Sequence, residues 1–538
     1  MLAAPRRRRR RPGLVCAAGE SFTPAAAGKS ESYVSKQSAD PVPAETGVLS
    51  APPPGEPFGH PKGLFVLFST ELWERFSFYS MRGILTLYMV NVLGAAGGHA
   101  DQMYGAYLGF VYAATFGGGM LADRLLGQRR AIYIGGVLMA LAQFTLATHS
   151  LLVRSGYSVR GLDPMFFSGL GLLACGNGFF KPNISTVVGT LYKPGDQRRD
   201  SAFTIFYMGI NIGAFLAGFS GQIAETWGWY LGFLLAGMGM VASLVVFTAG
   251  LRQLSGKGLP PEGATLTKGR FGIPNAVLVV IGVLLFVPAA AFLISKPSYV
   301  QSMAVVIALI VLPYLLYEAF RGTREEAGRM LVIIILCCFS MLFWGFFELA
   351  GSTITRFTNE AVDRVVFGFE LKASLLSQVI NPLFIITLSI PFAGLWVWLD
   401  RRKLEPSSPV KFSLGLFQLG LGFFMLYIGA AQAASGGKAA LIWLFLAYFF
   451  HTTGELCLSP VGLSMITKLA PARLVGMFMG VWFLSSALAN VFAGRVGGMT
   501  EDHGFGAVFV GIAATTGAAA LLLFVLSPLL KRMMHGIK

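Results

Sequence analysis

The sequence has 538 residues, 54% of them hydrophobic and only 13% charged, with a formal net charge of +16. Soluble domains carry about 25% charged residues, so a water-soluble fold is excluded. The basic balance does not call for nucleic acid, because its Lys and Arg residues segregate by loop.

Residues 1–56 hold six consecutive arginines, Arg6 to Arg11, followed by a Ser/Ala/Pro/Gly-rich stretch ending at Pro52-Pro53-Pro54. Such a composition buries no core and reads as a disordered tail. No apolar segment follows the arginines, so the tail is not read as a signal peptide. From Lys62 onward, apolar runs recur that are each long enough to cross a hydrocarbon core of roughly 30 Å. They fall at 62–90, 101–123, 129–149, 164–192, 199–224, 230–250, 272–295, 299–320, 329–356, 372–399, 411–434, 439–468, 473–498 and 505–530. Charged breaks at 251–270 and at Arg321 to Arg329 divide these fourteen spans into six, two and six. The expected fold is an all-α polytopic membrane protein of two six-helix bundles, 62–250 and 329–530, around an inserted pair at 271–320. Paired bundles of this kind hold their cargo near the bilayer midplane.

If the loop with Arg124, Arg129 and Arg130 is cytoplasmic, that side collects about 22 basic residues against about eight on the other, which places both termini in the cytoplasm. The lack of a targeting sequence and the short loops point to a bacterial inner membrane. Five cysteines, Cys16, Cys175, Cys337, Cys338 and Cys457, have no metal-ligand spacing and read as packing residues. The six histidines show no ligand pair, so no metal site is expected. No phosphate-binding Gly-Lys loop is present, which excludes an ATP-driven pump and leaves an ion gradient as the energy source, with no cofactor. No nucleophile, base and oxyanion grouping supports an enzyme.

Seven ionisable residues lie well inside spans: Glu71, Glu74, Arg75, Arg82, Lys181, Glu348 and Glu455. At 100° per residue, Glu71, Arg75 and Arg82 fall within about 40° of one another and Glu74 about 60° to the other side. Each charge facing lipid would cost about 2.5–3.5 kcal/mol, so this stripe must face protein or a watery cavity. Such groups either form fixed ion pairs that hold helices in register or exchange partners when a proton or zwitterion arrives.

The run Glu71-Leu-Trp-Glu74-Arg75-Phe76-Ser-Phe78-Tyr79 resembles the E-x-x-E-R-F-x-Y-Y motif of the proton-dependent oligopeptide transporter family, a branch of the major facilitator superfamily. Gly119 to Arg130 resembles the superfamily loop motif, and Gly178 to Asn183 with Arg199 to Asn211 resembles the family signature. Phe347 to Thr353, Asn381-Pro382 and Gly454 to Ser464 resemble its second-half motifs. Over residues 62–530 the resemblance implies the major-facilitator fold and proton-coupled import of di- and tripeptides. It implies that Arg82 and Lys181 attract the peptide carboxylate and that Glu455 meets the amino group. Asn211 and Asn381 then bond the peptide backbone, and Tyr79, Tyr112 and Trp482 wall the pocket. Proton coupling falls to Glu71, Glu74 and Glu348, with Arg75 and Lys181 beside them. Asp123, Arg124 and Arg130 of the loop motif are expected to latch helix ends. The expected partners are peptides, protons and lipid, with no obligate protein partner.

The chain departs from the family at three places. Gly105 stands where many animal members carry histidine, Phe78 replaces a motif tyrosine and removes a pocket hydroxyl, and Leu349 replaces a glutamine after the second-half glutamate. A carrier of nitrate or another small solute is the alternative reading. A non-transporting peptide sensor is a further one, against which stands the lack of any output domain.

Overall fold

The structure, a computed structural model, describes residues 56–193, 196, 198–267, 273–471 and 473–537. The arginine run and the rest of the expected tail up to residue 55 lie outside the described residues. Fourteen long helices and one short one follow in order: α1 (Lys62–Asn91), α2 (Gly97–Leu121), α3 (Gln128–Arg154), α4 (Val159–Thr190), α5 (Arg198–Trp227), α6 (Trp229–Gly250), α7 (Asn275–Ser295), α8 (Pro297–Arg321), α9 (Arg324–Phe347), the short α10 (Thr353–Ala361), α11 (Ala373–Arg401), α12 (Ser408–Ala434), α13 (Leu441–Leu469), α14 (Val475–Gly498) and α15 (Thr500–Met533). A two-strand hairpin, β1 (Val365–Val366) with β2 (Phe369–Glu370), joins α10 to α11.

Among the described residues, eleven helical segments are apolar enough to span a membrane on length and composition alone. The other three long helices, α1, α2 and α4, are diluted by charged residues, glycines and amides. Their polar groups can enter hydrocarbon only if neighbouring protein covers them. Accordingly Glu71, Glu74, Arg75, Asp101, Asn177 and Asn183 are all buried.

One apolar core is built from α1 to α6, around Tyr88, Phe166, Phe180, Phe233 and Phe247. A second is built from α9 to α15, around Phe343, Phe357, Phe412, Phe423 and Phe478. The middle pair divides between them. Ala290 and Ile294 of α7 join the first core, whereas Leu315 and Ala319 of α8 join the second. The outward faces of the pair expose Leu284, Leu285, Leu309 and Ile310, the apolar surface that lipid requires.

The bundles meet where α2 packs against α14 and α5 against α11, with α1 against α10 and α11. Glycines set the first of these crossings. A Cβ on Gly105 would lie 2.5 Å from the Asn490 carbonyl oxygen and 2.8 Å from Gly494 Cα. A histidine at this place therefore has no room here, and two backbones fill the space. Contacts between bundles gather at the end that carries the α1–α2 turn. There Asp101 Oδ2 accepts from Arg356 Nη1 and from Thr353 Oγ1, each at 2.8 Å, and Arg356 Nη1 also donates to Thr500 Oγ1 at 3.3 Å.

Gly105→His should force α2 and α14 apart and destabilise the folded protein by about 1–3 kcal/mol, the usual range for overpacking. A lower thermal midpoint in detergent would report it, and an unchanged midpoint would show that the crossing yields without strain.

Candidate functional site

Helix α1 carries the ionised stripe. Its residues at 71, 74, 75, 79 and 82 point into the protein because the three- and four-residue spacing puts them on neighbouring lines of one face. Arg75 Nη2 donates to Glu74 Oε1 at 2.7 Å, its Nε donates to Glu74 Oε2, and the same Nε lies 3.2 Å from Glu71 Oε1. All three side chains are at most 3% exposed. Asn177 of α4 points its Nδ2 at Glu74 Oε1 from 3.5 Å, while Glu71 Oε2 has no hydrogen-bond partner among the described residues. Two carboxylates thus share one guanidinium, which leaves a buried oxygen able to take a proton without breaking a bond.

Lys181, one turn after Asn177 on α4, holds its Nζ 4.8 Å from the centre of the Tyr112 ring. It lies within electrostatic reach of Glu71, Glu74 and Glu348 and has no carboxylate within 4.0 Å among the described residues. The helix reaches it through Pro182, whose missing N–H frees the Gly178 carbonyl. That carbonyl faces Gly118 of α2, where a Cβ would lie only 2.1 Å away. The proline therefore permits close packing of α2 on α4 beside the lysine.

Two turns beyond Glu74, Arg82 leaves its own bundle's carboxylates and ion-pairs with Glu348 across the interface. Its Nε donates to Tyr104 OH at 2.6 Å, and its guanidinium carbon sits 5.4 Å from the Tyr79 ring centre. The span expected at 329–356 is not continuous here. Glu348 begins a tight 3-10 turn, Glu348–Gly351, between α9 and α10, and Ser352 has a non-helical backbone (φ −130°, ψ −90°). The break lets Tyr104 approach Gly351, where a side chain would collide with its hydroxyl at 1.9 Å.

A second polar group forms around Glu455 of α13. Asn381 Nδ2 of α11 donates to Glu455 Oε2 at 3.1 Å and to Thr452 Oγ1 at 2.9 Å. From the other bundle, Tyr207 OH donates to Glu455 Oε1 at 3.4 Å. Tyr207 is 40% exposed, so it borders open space between the bundles. Asn211, one turn on, donates to the Tyr207 carbonyl at 3.0 Å and so lies beside this group.

The structure thus gathers Glu71, Glu74 and Arg75 at one point, Arg82, Tyr79 and Glu348 at a second, and Asn211, Asn381 and Glu455 at a third. Lys181 and Tyr112 stand near the first two. Trp482 of α14 packs over Gly462 and against the second apolar core, and makes no hydrogen bond or cation–π contact with the charged groups among the described residues.

Several expectations change. Asp123, Arg124 and Arg130 are exposed; Asp123 accepts from Gln128 Nε2 at 3.0 Å, and none of the three makes an ion pair within 4.0 Å among the described residues. Arg129 makes the connection instead, its Nε donating to the Lys257 carbonyl at 2.6 Å and its N–H to that of Gly258 at 2.9 Å. This pins the segment after α6 within one bundle. Phe78 does not empty a pocket of a hydroxyl: its ring is buried, with the Arg75 guanidinium carbon 5.1 Å from its centre. Leu349 is fully buried in the second core, and the partner of Glu348 comes from Arg82. Cys338 is exposed on α9, unlike buried Cys175, Cys337 and Cys457.

Sequence reasoning missed Tyr104, Tyr207 and Asn177. Two of these carried a signal, since Tyr207 precedes Asn211, and Asn177 precedes Lys181, by one helical turn. Nothing in the sequence marks Tyr104 as the partner of Arg82.

Residues 129–510 match the model of the POT family. The chain is 39% identical to the peptide transporter YePEPT of Yersinia enterocolitica, over 82% of this chain and 88% of that protein. It is 34% identical to the di-/tripeptide transporter of Lactococcus lactis, over 88% and 97%. Among solved structures, a peptide transporter POT in complex with sulfate is 36% identical with a TM-score of 0.78, covering 89% of this chain and 97% of that one. A POT family transporter in complex with 5-aminolevulinic acid is 29% identical with a TM-score of 0.75, covering 88% and 97%. With the motifs of both bundles in place on the helices that carry the charges, the chain belongs to the POT family.

Proposed function

We propose that the protein imports di- and tripeptides together with protons by alternating access of its two bundles. The observation that carries this reading is the Arg82–Glu348 pair, in which residues well inside spanning helices of the two bundles share an ion pair. A peptide carboxylate competes with Glu348 for Arg82, and protonation of Glu348 removes the competitor. Proton uptake and peptide binding then favour one another. Lys181, without a close carboxylate of its own, offers the peptide carboxylate a second cation. Glu455, held by Asn381 and Tyr207, meets the amino end.

Peptide side chains vary, but the two ends do not, so a site built on end charges and backbone amides accepts many sequences. The relatives named as peptide transporters support this substrate class. One POT family neighbour is in complex with 5-aminolevulinic acid, which keeps another small solute as the alternative cargo. Glu71 is the foremost proton carrier, with its unpartnered Oε2 beside the Arg75–Glu74 pair. The basic loops support both termini lying in the cytoplasm, and the short loops support a bacterial inner membrane. On that orientation the end of the bundles joined by Asp101–Arg356 and Glu225–Ser374 faces outward. The expected loop latch is reassigned to Arg129, which holds the α6–α7 connection.

Purified protein in liposomes should take up labelled dialanine under an inward proton gradient, and a protonophore should abolish the uptake. Glu71→Gln should lose gradient-driven uptake while still exchanging peptide across the membrane. An inactive wild type in sealed, correctly oriented vesicles would discard peptide import, and gradient-driven uptake by the variant would free Glu71 of its role. Asn381→Ala removes one donor from Glu455, so the dialanine KM should rise about five- to tenfold, the effect of one hydrogen bond. An unchanged KM would take Asn381 out of the binding site.

A further inference from the structure

Far from the charged centre, α5 and α11 approach at the same end of the molecule as the Asp101–Arg356 pair, but on the other edge of the interface. Helix α11 begins badly by itself. Its N-cap residue is Lys372, whose side chain makes no capping bond, although a helix start exposes several N–H donors and favours a short oxygen-bearing side chain. The missing acceptors come from the opposite bundle. Glu225, in the last turn of α5, accepts from Ser374 N–H at 2.9 Å and from Ser374 Oγ at 2.5 Å through one oxygen, Oε1. Gln222, one turn earlier, accepts from Lys372 N–H at 2.8 Å and donates from Nε2 to the Glu370 carbonyl at 3.2 Å. The carboxylate also stands at the positive end of the α11 dipole, with Arg364 and Lys372 within electrostatic reach. Gly221 makes the approach possible, since a Cβ there would meet Ser374 Oγ at 2.4 Å.

We propose that Glu225 is a positioning residue for alternating access: it caps α11 from the other bundle only while this end is closed, and so sets the balance between the two facing states. The proposal rests on the alternating-access reading given above. A cap supplied from within α11 would stabilise both states equally and shift nothing. A cap supplied from α5 exists only when the bundles meet here, so its whole contribution favours closure at this end. Opening then leaves the Ser374 N–H and the Glu225 carboxylate to water.

Amide hydrogen exchange of the full chain in lipid nanodiscs tests this without any peptide or proton gradient, so its result stands apart from that of the uptake assay. Glu225→Ala should raise exchange about tenfold at residues 372–377, as expected for a lost cap. It should also raise exchange at residues 97–103 of α2, on the opposite edge of the interface and in the other bundle from α11. Glu225→Gln, whose amide oxygen accepts from the same two donors, should restore most of the protection at both places. A rise confined to 372–377 would make Glu225 an ordinary cap and overturn the proposal, as would no change at either place. If Glu225→Ala raises exchange throughout α3 and α6, it has lost its fold, and Ser374→Ala decides instead. That variant removes only the hydroxyl donor and should give a smaller rise at both places; a rise at 372–377 alone would again overturn the proposal.

Discussion

An ion in the hydrocarbon layer must find an opposite charge or water, and the chain carries four ionised residues on one face of its first span. That constraint orients the first bundle. Helix α1 cannot turn its stripe to lipid, so α2, α4 and α5 cover it, with Tyr104, Asn177 and the close approach of Gly213 meeting its charges. Gly213 of α5 faces the α1 backbone, where a Cβ would lie 2.4 Å from the Leu72 carbonyl oxygen. Within the stripe, Arg75 is satisfied at home by Glu71 and Glu74, but Arg82, two turns on, has no carboxylate in its own bundle at bonding distance. Its partner is Glu348. The demand for charge neutrality at one position therefore joins two bundles that otherwise have separate cores.

On the transport reading proposed above, placing that pair at the interface makes the binding site and the moving joint one structure. A ligand that replaced Glu348 at Arg82 would then change what holds the bundles together, and so turn a local charge event into a global one. The break between α9 and α10 serves the same end. Residues 348–351 form a tight 3-10 turn and Ser352 leaves helical geometry, which brings Gly351 against Tyr104. The turn presents the Glu348 carboxylate and the Gly351 carbonyl, which accepts from Thr86 Oγ1 at 3.3 Å.

Much of this was legible from local periodicity. The helical spans and the facing of Glu71, Arg75 and Arg82 follow from hydropathy and a 100° step, because lipid enforces both without regard to the rest of the fold. Pairing across the interface was not legible in the same way. Arg82 and Glu348 are 266 positions apart, and nothing in either segment states that they meet. The loop residues misled for a related reason: Asp123, Arg124 and Arg130 carry the charges of a recognisable motif, but the backbone at Gly127, in the left-handed region at φ 72°, aims Arg129 at the α6–α7 segment instead. Phe78 shows the limit of motif comparison. Whether a ring faces a pocket or seals a buried guanidinium depends on which side neighbouring helices approach, and the α1 sequence alone does not say.

The inserted pair acquires a mechanical meaning from its divided packing. Its two legs, α7 and α8, are joined through Lys296 alone, whose backbone (φ −127°, ψ 67°) is neither helix nor strand. One leg is bedded in each core, and at the seam Val300 of α8 meets Ala106 of α2 and Val491 of α14. Any tilt of one bundle against the other must therefore be absorbed by that single linkage or by sliding at the cluster. On the alternating-access reading proposed above, the hairpin is an expansion joint laid along the seam, keeping acyl chains out of a gap whose width would vary.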